Sequence, residues 1–114
     1  MTRKKKLLFV CSANVDRSPT AEDIFQASHL YEADSAGTFP VAMKQVTQPL
    51  IDSADIIFVM SERADGHLSF LKERFNLSGK EVYDLDIPDK YERDDPALIA
   101  LLKQRVGAHI PLDI

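Results

Sequence analysis

The chain has 114 residues, a length that suits one domain with a single modest core. Apolar residues make up 45% of it and charged residues 28%, as in ordinary soluble globular proteins, and no apolar run approaches the ~20 residues of a membrane span. The formal net charge of −4 provides no basic face for nucleic acid. We therefore expect one domain over residues 1–114, with neither nucleic acid nor a membrane as partner.

The chain contains one cysteine, Cys11, so an internal disulfide is excluded. A free thiol is typical of a reducing compartment, which predicts a cytoplasmic protein. The apolar run after the basic residues 3–6 is too short for a signal peptide, and we interpret those residues as a solvated leader. His29, His67 and His109 lack the spacing of metal ligands. We expect them to be surface or packing residues, and we expect no metal or cofactor.

The first elements of the chain enclose its most reactive residues. Residues 7–10, Leu-Leu-Phe-Val, predict a short buried strand, and Ser18-Pro19 predicts a helix start with Ser18 as N-cap. The loop between them holds Cys11 and, six positions later, Arg17. Free backbone N–H groups and the positive end of the helix dipole favour an anion here, including a thiolate, and a guanidinium suits phosphate oxygens. A lone cysteine is more often a small buried apolar residue. The strand-loop-helix context nevertheless predicts a nucleophile and a phosphate cradle in one turn of chain.

Helices and strands alternate along the rest of the chain. Helical spacing and capping residues predict a first helix to about residue 28, a short helix after Thr47, a helix from Ser61 to about residue 75, and a last helix opened by Asp95-Pro96. Strands are predicted at residues 31–36, 55–60 and 81–86. This alternation is typical of an α/β domain in which a parallel sheet is covered by helices on both faces.

The loop sequence resembles the signature of the low-molecular-weight protein tyrosine phosphatases, Cys-x-Gly-Asn-x-Cys-Arg-Ser-Pro followed by Ala-Glu. In this chain it reads Cys11-Ser12-Ala13-Asn14-Val15-Asp16-Arg17-Ser18-Pro19-Thr20-Ala21-Glu22. The likeness extends to residues 35–38, Ser-Ala-Gly-Thr, and to residues 55–60, and the chain is similar to a short bacterial-type branch of the family. The resemblance implies a doubly wound, four-stranded parallel sheet in the order 2-1-3-4.

The resemblance also implies roles for the loop residues. Cys11 would attack phosphorus and form a cysteinyl-phosphate, while loop backbone N–H groups and the Arg17 guanidinium bind the phosphate oxygens. The phosphate-binding residues would be Ser12, Ala13, Asn14, Val15, Asp16 and Arg17. Ser18 would support the sulfur, or serve as a plain helix cap. Asn14 tolerates the left-handed conformation that such a loop needs, and Ser35 would brace it.

The family's general acid lies in an Asp-Pro pair shortly before the last helix. Here the pair is split within residues 86–89, Asp-Ile-Pro-Asp, and counting back from the helix favours Asp86, with Asp89 as the alternative. Asp95-Pro96 is intact, but its position suits a helix cap. Cys11 follows the first strand and Asp86 closes the fourth, so a parallel sheet brings both to one edge. Tyr91, in the same loop, is a candidate for stacking on a substrate ring.

Two loop positions depart from the family pattern. Ala13 replaces a glycine, and a left-handed angle there would be strained. Asp16 replaces a second cysteine. A carboxylate beside a phosphate dianion is expected to disfavour the thiolate and to weaken phosphate binding, unless it points to solvent or pairs with a base.

Three functions follow from these residues. The first is a protein tyrosine phosphatase that acts on a phosphotyrosine protein or a small aryl phosphate, as a monomer or weak homodimer. The second is a phosphotyrosine- or anion-binding module with little catalysis, which Ala13, Asp16 and the split Asp-Pro pair favour. The third is an arsenate reductase, which would need an external thiol because the chain has a single cysteine.

Overall fold

Four parallel strands form the centre of the molecule, and helices cover both faces of the sheet. The computed structural model describes residues 3–114. Its elements are β1 Lys5–Cys11, α1 Arg17–Phe25, β2 Tyr31–Gly37, α2 Gln48–Ser53, β3 Ile56–Val59, α3 Glu62–Asp65, α4 His67–Arg74, β4 Glu81–Asp84 and α5 Pro96–Gly107. The strand order is β2-β1-β3-β4, and all neighbouring strands are parallel. The predicted fold and strand order are confirmed.

The sheet separates two apolar clusters because side chains of β1 alternate between its faces. Leu7 and Phe9 join the cluster under α1 and α5, where Phe9 stacks on Phe58 with ring centroids 5.3 Å apart. Leu8 and Val10 join the cluster under α2 and α4. These five side chains are buried. The burial fixes β1 at the centre of the sheet, and thereby the position at which Cys11 leaves it.

The helix predicted from Ser61 to about residue 75 is two helices. Gly66 adopts a left-handed conformation, φ 66°, which ends α3 at Asp65 and starts α4 at His67. Glycine reaches that conformation without a Cβ clash, so it can end a helix abruptly. The Ser61 side chain does cap the first of the two, as it accepts a hydrogen bond from the Ala64 N–H. Within residues 3–114, no helix is both long and apolar enough to span a membrane.

Helix α1 starts earlier than the Ser18-Pro19 pair predicts. Its first residue is Arg17, and Asp16 occupies the N-cap position without a side-chain capping bond. The backbone N–H of Thr20 donates to the Asp16 carbonyl at 3.1 Å, which closes the first turn. The prediction of Ser18 as N-cap is therefore wrong, and its hydroxyl is free to serve the loop instead.

Candidate active site

The loop between β1 and α1 is held by a chain of buried polar side chains. Asn14 has a left-handed backbone, φ 56°, and its Nδ2 donates to Ser18 Oγ at 2.9 Å and to Ser35 Oγ at 3.0 Å. Ser35 Oγ donates in turn to Glu22. Ser18 Oγ lies 2.9 Å from Cys11 Sγ. It accepts from Asn14, so its own proton can be donated to the sulfur or to the more distant Ala36 carbonyl at 3.4 Å. The strained angle considered for Ala13 does not arise, since the left-handed residue of the loop is Asn14.

The backbone N–H groups of the loop are not bonded by the part of the chain that the structure describes. Within residues 3–114, none of the N–H groups of residues 12–16 donates a hydrogen bond to a protein acceptor. The loop carbonyls, in contrast, are used: Phe39 N–H donates to Ser12 O and Met43 N–H to Ala13 O, each at 3.0 Å. The neighbouring segment therefore holds the loop by its carbonyls and leaves these N–H groups available to an anion.

Arg17 adds a buried positive charge beside this loop. Its side chain is only 2% exposed. Nη1 donates to Asp65 Oδ2 at 2.8 Å and to the Ile87 carbonyl at 3.0 Å. Nε lies 3.7 Å from Asp89 Oδ1. Within the described chain, Nε and Nη2 donate no hydrogen bond to protein, so one edge of the guanidinium remains for a ligand. Sequence reasoning missed Asp65, whose only signal was its place after β3 at the same sheet edge.

These groups surround a small cavity of about 60 Å³. It is lined by Cys11, Ala13, Val15, Asp16, Arg17 and Asp89. Ser12 and Asn14, also in the loop, are buried and do not line the cavity. Pockets for drug-sized ligands measure about 300–1,000 Å³, so this one suits a compact polyatomic anion.

Asp89, and not Asp86, lies at the cavity. Asp86 has a left-handed backbone, φ 52°, and its Oδ2 lies 3.6 Å from Nη2 of Arg63 on α3. The reason is that the backbone N–H of Ile87 still bonds to Met60 O at 2.6 Å, so the chain continues alongside β3 and turns over the cavity only afterwards. The sequence preference for Asp86 is not supported by this geometry, which favours the alternative, Asp89.

Tyr91 also differs from its predicted place. It is half-buried and packs against the apolar cluster under α1 and α5, and it does not line the cavity. Lys90 Nζ lies 5.4 Å from the centre of its ring. Val15 is the exposed apolar side chain at the cavity itself, with 47% of its surface exposed.

His67 is a site residue that the sequence analysis assigned to surface or packing. It is fully buried; its Nδ1 accepts from the Ser61 N–H at 3.1 Å, and its Nε2 lies 2.9 Å from Ser12 Oγ. Since Nδ1 accepts, Nε2 carries the proton and donates to Ser12. Burial, aided by the nearby Arg17 charge, lowers the pKa of His67 to about 4. His29 and His109 are exposed, as expected.

Asp16 has the partner that its position requires. Its Oδ1 accepts a hydrogen bond at 3.0 Å from the backbone N–H of Arg93, in the segment before α5. The carboxylate thus lies at the cavity wall and is bonded to the segment that carries Asp89. This contact joins two parts of the site that are far apart in sequence.

Comparison with known proteins agrees with this architecture. A model of the family described as low molecular weight phosphotyrosine protein phosphatase matches residues 6–49, which include the whole Cys11 loop. The resemblance predicted from the sequence is confirmed over these residues. A search of curated proteins finds no similar sequence.

Solved structures extend the match to the whole fold. Wzb from Vibrio vulnificus, solved in complex with benzylphosphonate, is 22% identical with a TM-score of 0.71, and the match covers 93% of this chain and 97% of that one. SP-PTP, a low-molecular-weight protein tyrosine phosphatase from Streptococcus pyogenes, is 19% identical with a TM-score of 0.71 and 93% of each chain covered. A thioredoxin-dependent arsenate reductase from Corynebacterium glutamicum is 17% identical with a TM-score of 0.59, over 94% of this chain and 59% of that one. At these identities the similarity shows the fold that these structures share, and the reaction must be inferred from the site residues of this chain.

Proposed function

We propose that the protein is a cysteine-dependent phosphatase that hydrolyses aryl phosphomonoesters, with phosphotyrosine as the substrate class. The observation that carries the proposal is the cavity that Cys11 shares with Arg17 and Asp89, beside loop N–H groups that donate no hydrogen bond to the described chain. A nucleophile, a charged fork and several aligned donors within one small cavity are what transfer of a phosphoryl group requires. The match of the family model to this loop supports the same chemistry.

The first step forms a covalent intermediate. The Cys11 thiolate attacks phosphorus in line, an S–P bond forms, and the P–O bond to the aryl group breaks. Loop N–H groups and Arg17 hold the three equatorial oxygens, where charge must be balanced in the transition state. Asp89 donates its proton to the leaving phenolate oxygen. Its carboxyl group lines the cavity and is 57% exposed, so a substrate oxygen arriving from solvent can reach it.

The second step releases phosphate. Water attacks phosphorus, and the Asp89 carboxylate accepts its proton. The S–P bond breaks, which restores the Cys11 thiolate, and Ser18 stabilises this leaving sulfur through the contact at 2.9 Å. The cycle consumes one water and one ester and needs no oxidant or reductant.

Hydrolysis of phosphotyrosine and of p-nitrophenyl phosphate by wild type and by Cys11→Ser tests the proposal. We expect turnover by wild type and a loss of at least about 1,000-fold in the variant, because the nucleophile is removed. Equal turnover by the two proteins, or none by either, would contradict it.

A phosphate-binding module is the second candidate, since three carboxylates, those of Asp16, Asp65 and Asp89, lie near a single guanidinium. Tight binding of phosphate without any turnover would favour that function. Arsenate reduction would require a thiol from outside the chain at every cycle, because Cys11 is the one cysteine. Arsenate-dependent consumption of an added thiol would reveal it.

A further inference from the structure

Asp89 lies on a segment whose backbone N–H groups are not bonded to the described part of the chain, although the Tyr91 side chain within it packs against the apolar cluster under α1 and α5. We refer to residues 88–92 as the acid loop. Just before it, the Ile87 N–H bonds to Met60 O, and the Ile87 carbonyl accepts from Arg17 Nη1. Within residues 3–114, no backbone N–H of residues 89–92 donates a hydrogen bond to protein. The position of Asp89 therefore depends on the contacts on either side of the loop and on the packing of Tyr91.

The far end of the acid loop is fastened to α1 and the Cys11 loop. Arg93 N–H donates to Asp16 Oδ1 at 3.0 Å, and Asp94 N–H donates to Thr20 Oγ1 at 2.9 Å. The Arg93 guanidinium also pairs with Asp23 at 2.9 Å, but both groups are about half exposed, and exposed ion pairs contribute little. The hydrogen bonds from the Arg93 and Asp94 N–H groups are therefore the contacts that fix this end of the loop.

Asp16 is used in an unusual way for its position. It occupies the N-cap of α1, where an aspartate normally accepts from the helix N–H groups, yet its side chain makes no capping bond and reaches Arg93 instead. It also brings a negative charge to the wall of a cavity that should hold an anion. A residue that gives up a capping bond and opposes ligand charge needs a compensating role.

We propose that Asp16 is a positioning residue for the general acid: by accepting the Arg93 N–H, it fixes the acid loop so that Asp89 faces the leaving-group oxygen. The inference rests on the proposed phosphatase function. Asp16 acts through Asp89 and does not itself transfer a proton. The requirement is a hydrogen-bond acceptor at this position, which a neutral amide oxygen also supplies.

The dependence of rate on the leaving group separates this role from a structural one. A phenolate as basic as that of tyrosine, whose phenol has a pKa near 10, needs a proton from the acid, whereas 2,4-dinitrophenolate leaves readily without one. Misplacement of the acid must therefore slow phosphotyrosine hydrolysis far more than 2,4-dinitrophenyl phosphate hydrolysis. The Asp89→Asn variant, in which the acid is absent, sets the full size of this difference.

The test compares kcat/KM for both esters in Asp16→Ala and Asp16→Asn, with Asp52→Ala on the distant helix α2 as a matched surface control. Asp16→Ala should lose about 10-fold or more with phosphotyrosine and under about 3-fold with the dinitrophenyl ester. Asp16→Asn should retain the wild-type ratio between the two esters and bind orthovanadate more tightly, since it keeps an acceptor and removes a charge. In an Asp89→Asn background, Asp16→Ala should lower phosphotyrosine hydrolysis by no more than the under about 3-fold expected with the dinitrophenyl ester.

Equal losses with both esters, no loss at all, or an Asp16→Asn variant that behaves like Asp16→Ala would overturn the inference. If Asp16→Ala does not fold, Asp16→Ser, whose hydroxyl suits an N-cap but is one atom shorter, must give the same leaving-group pattern. Failure of the proposed function looks different: wild type would then hydrolyse neither ester, or Cys11→Ser would hydrolyse both equally well.

Discussion

Mild acid should destabilise this fold through one buried histidine. His67 is fully buried and neutral, held by the Ser61 N–H on Nδ1 and by Ser12 on Nε2. Unfolding releases it to water, where its pKa returns to about 6.5 from about 4 in the fold. At a pH between these two pKa values, His67 is protonated in the unfolded chain and neutral in the folded chain. The contribution of His67 to the free energy of unfolding is therefore fully present above pH 6.5 and is lost as the pH falls towards 4.

The size of the effect follows from the two pKa values. Each pKa unit corresponds to about 1.4 kcal/mol, and integration of the linkage from pH 7 to pH 5 gives a loss of about 2 kcal/mol in the free energy of unfolding. With urea m-values of about 1–3 kcal/mol/M, this moves the midpoint by roughly 1 M. The shift is large enough to resolve against other titrating groups when a variant provides the baseline.

Urea unfolding of wild type and His67→Gln at pH 7 and pH 5 measures this loss in the free energy of unfolding. The variant cannot titrate at this position, so its loss of stability should be smaller than that of wild type by about 2 kcal/mol. His29→Gln, which changes an exposed histidine, is the matched control and should follow wild type. Parallel losses in wild type and His67→Gln would refute the reasoning. An NMR titration of the His67 ring that gives a pKa near 6.5 in folded wild type would refute it as well.

Three further predictions concern the site. Asp89→Asn should remove the alkaline limb of the pH–rate profile and lower kcat for phosphotyrosine about 100-fold, while Asp86→Asn should retain that limb; the opposite pattern would restore Asp86 as the acid. Gly37→Ala should reduce both activity and thermal stability, because its Cβ would clash with the Ser12 carbonyl oxygen and lie 2.7 Å from Ala42 Cβ; wild-type kinetics would show that the loop yields freely. Arg17→Lys should lower kcat/KM by about 100-fold or more, as measured with an aryl phosphate, since a point charge cannot replace the two-pronged guanidinium; a loss below about 5-fold would argue against that contact.

The parts of the site that are contiguous in sequence were predictable. The strand-loop-helix context places Cys11 and Arg17 in one turn of chain. Such a loop also accounts for the N–H groups of residues 12–16, which donate no hydrogen bond to residues 3–114. The contact between Asn14 and Ser35 is also present. Local spacing carries this information because few backbone conformations connect a buried strand to a helix N-terminus over so few residues.

The parts that depend on distant contacts were not predictable. Counting residues back from α5 favoured Asp86, but the count does not register that the Ile87 N–H still bonds to Met60, directly after β3, which delays the turn. The predicted helix is interrupted at Gly66, so His67 starts a new helix, and its ring contacts Ser12. Both outcomes are set by tertiary hydrogen bonds, which leave no periodic signal in the sequence.

The central claim is that the Cys11 sulfur takes up the phosphoryl group. The most direct measurement is rapid acid quenching of Asp89→Asn during turnover of 2,4-dinitrophenyl phosphate, followed by mass spectrometry of the peptide that contains Cys11. The variant slows the second step, which needs Asp89 as a base, so the intermediate should accumulate. We predict one phosphoryl group on Cys11, in an amount close to one per protein. Turnover with an unmodified Cys11 peptide, or a phosphoryl group on another residue, would contradict the mechanism.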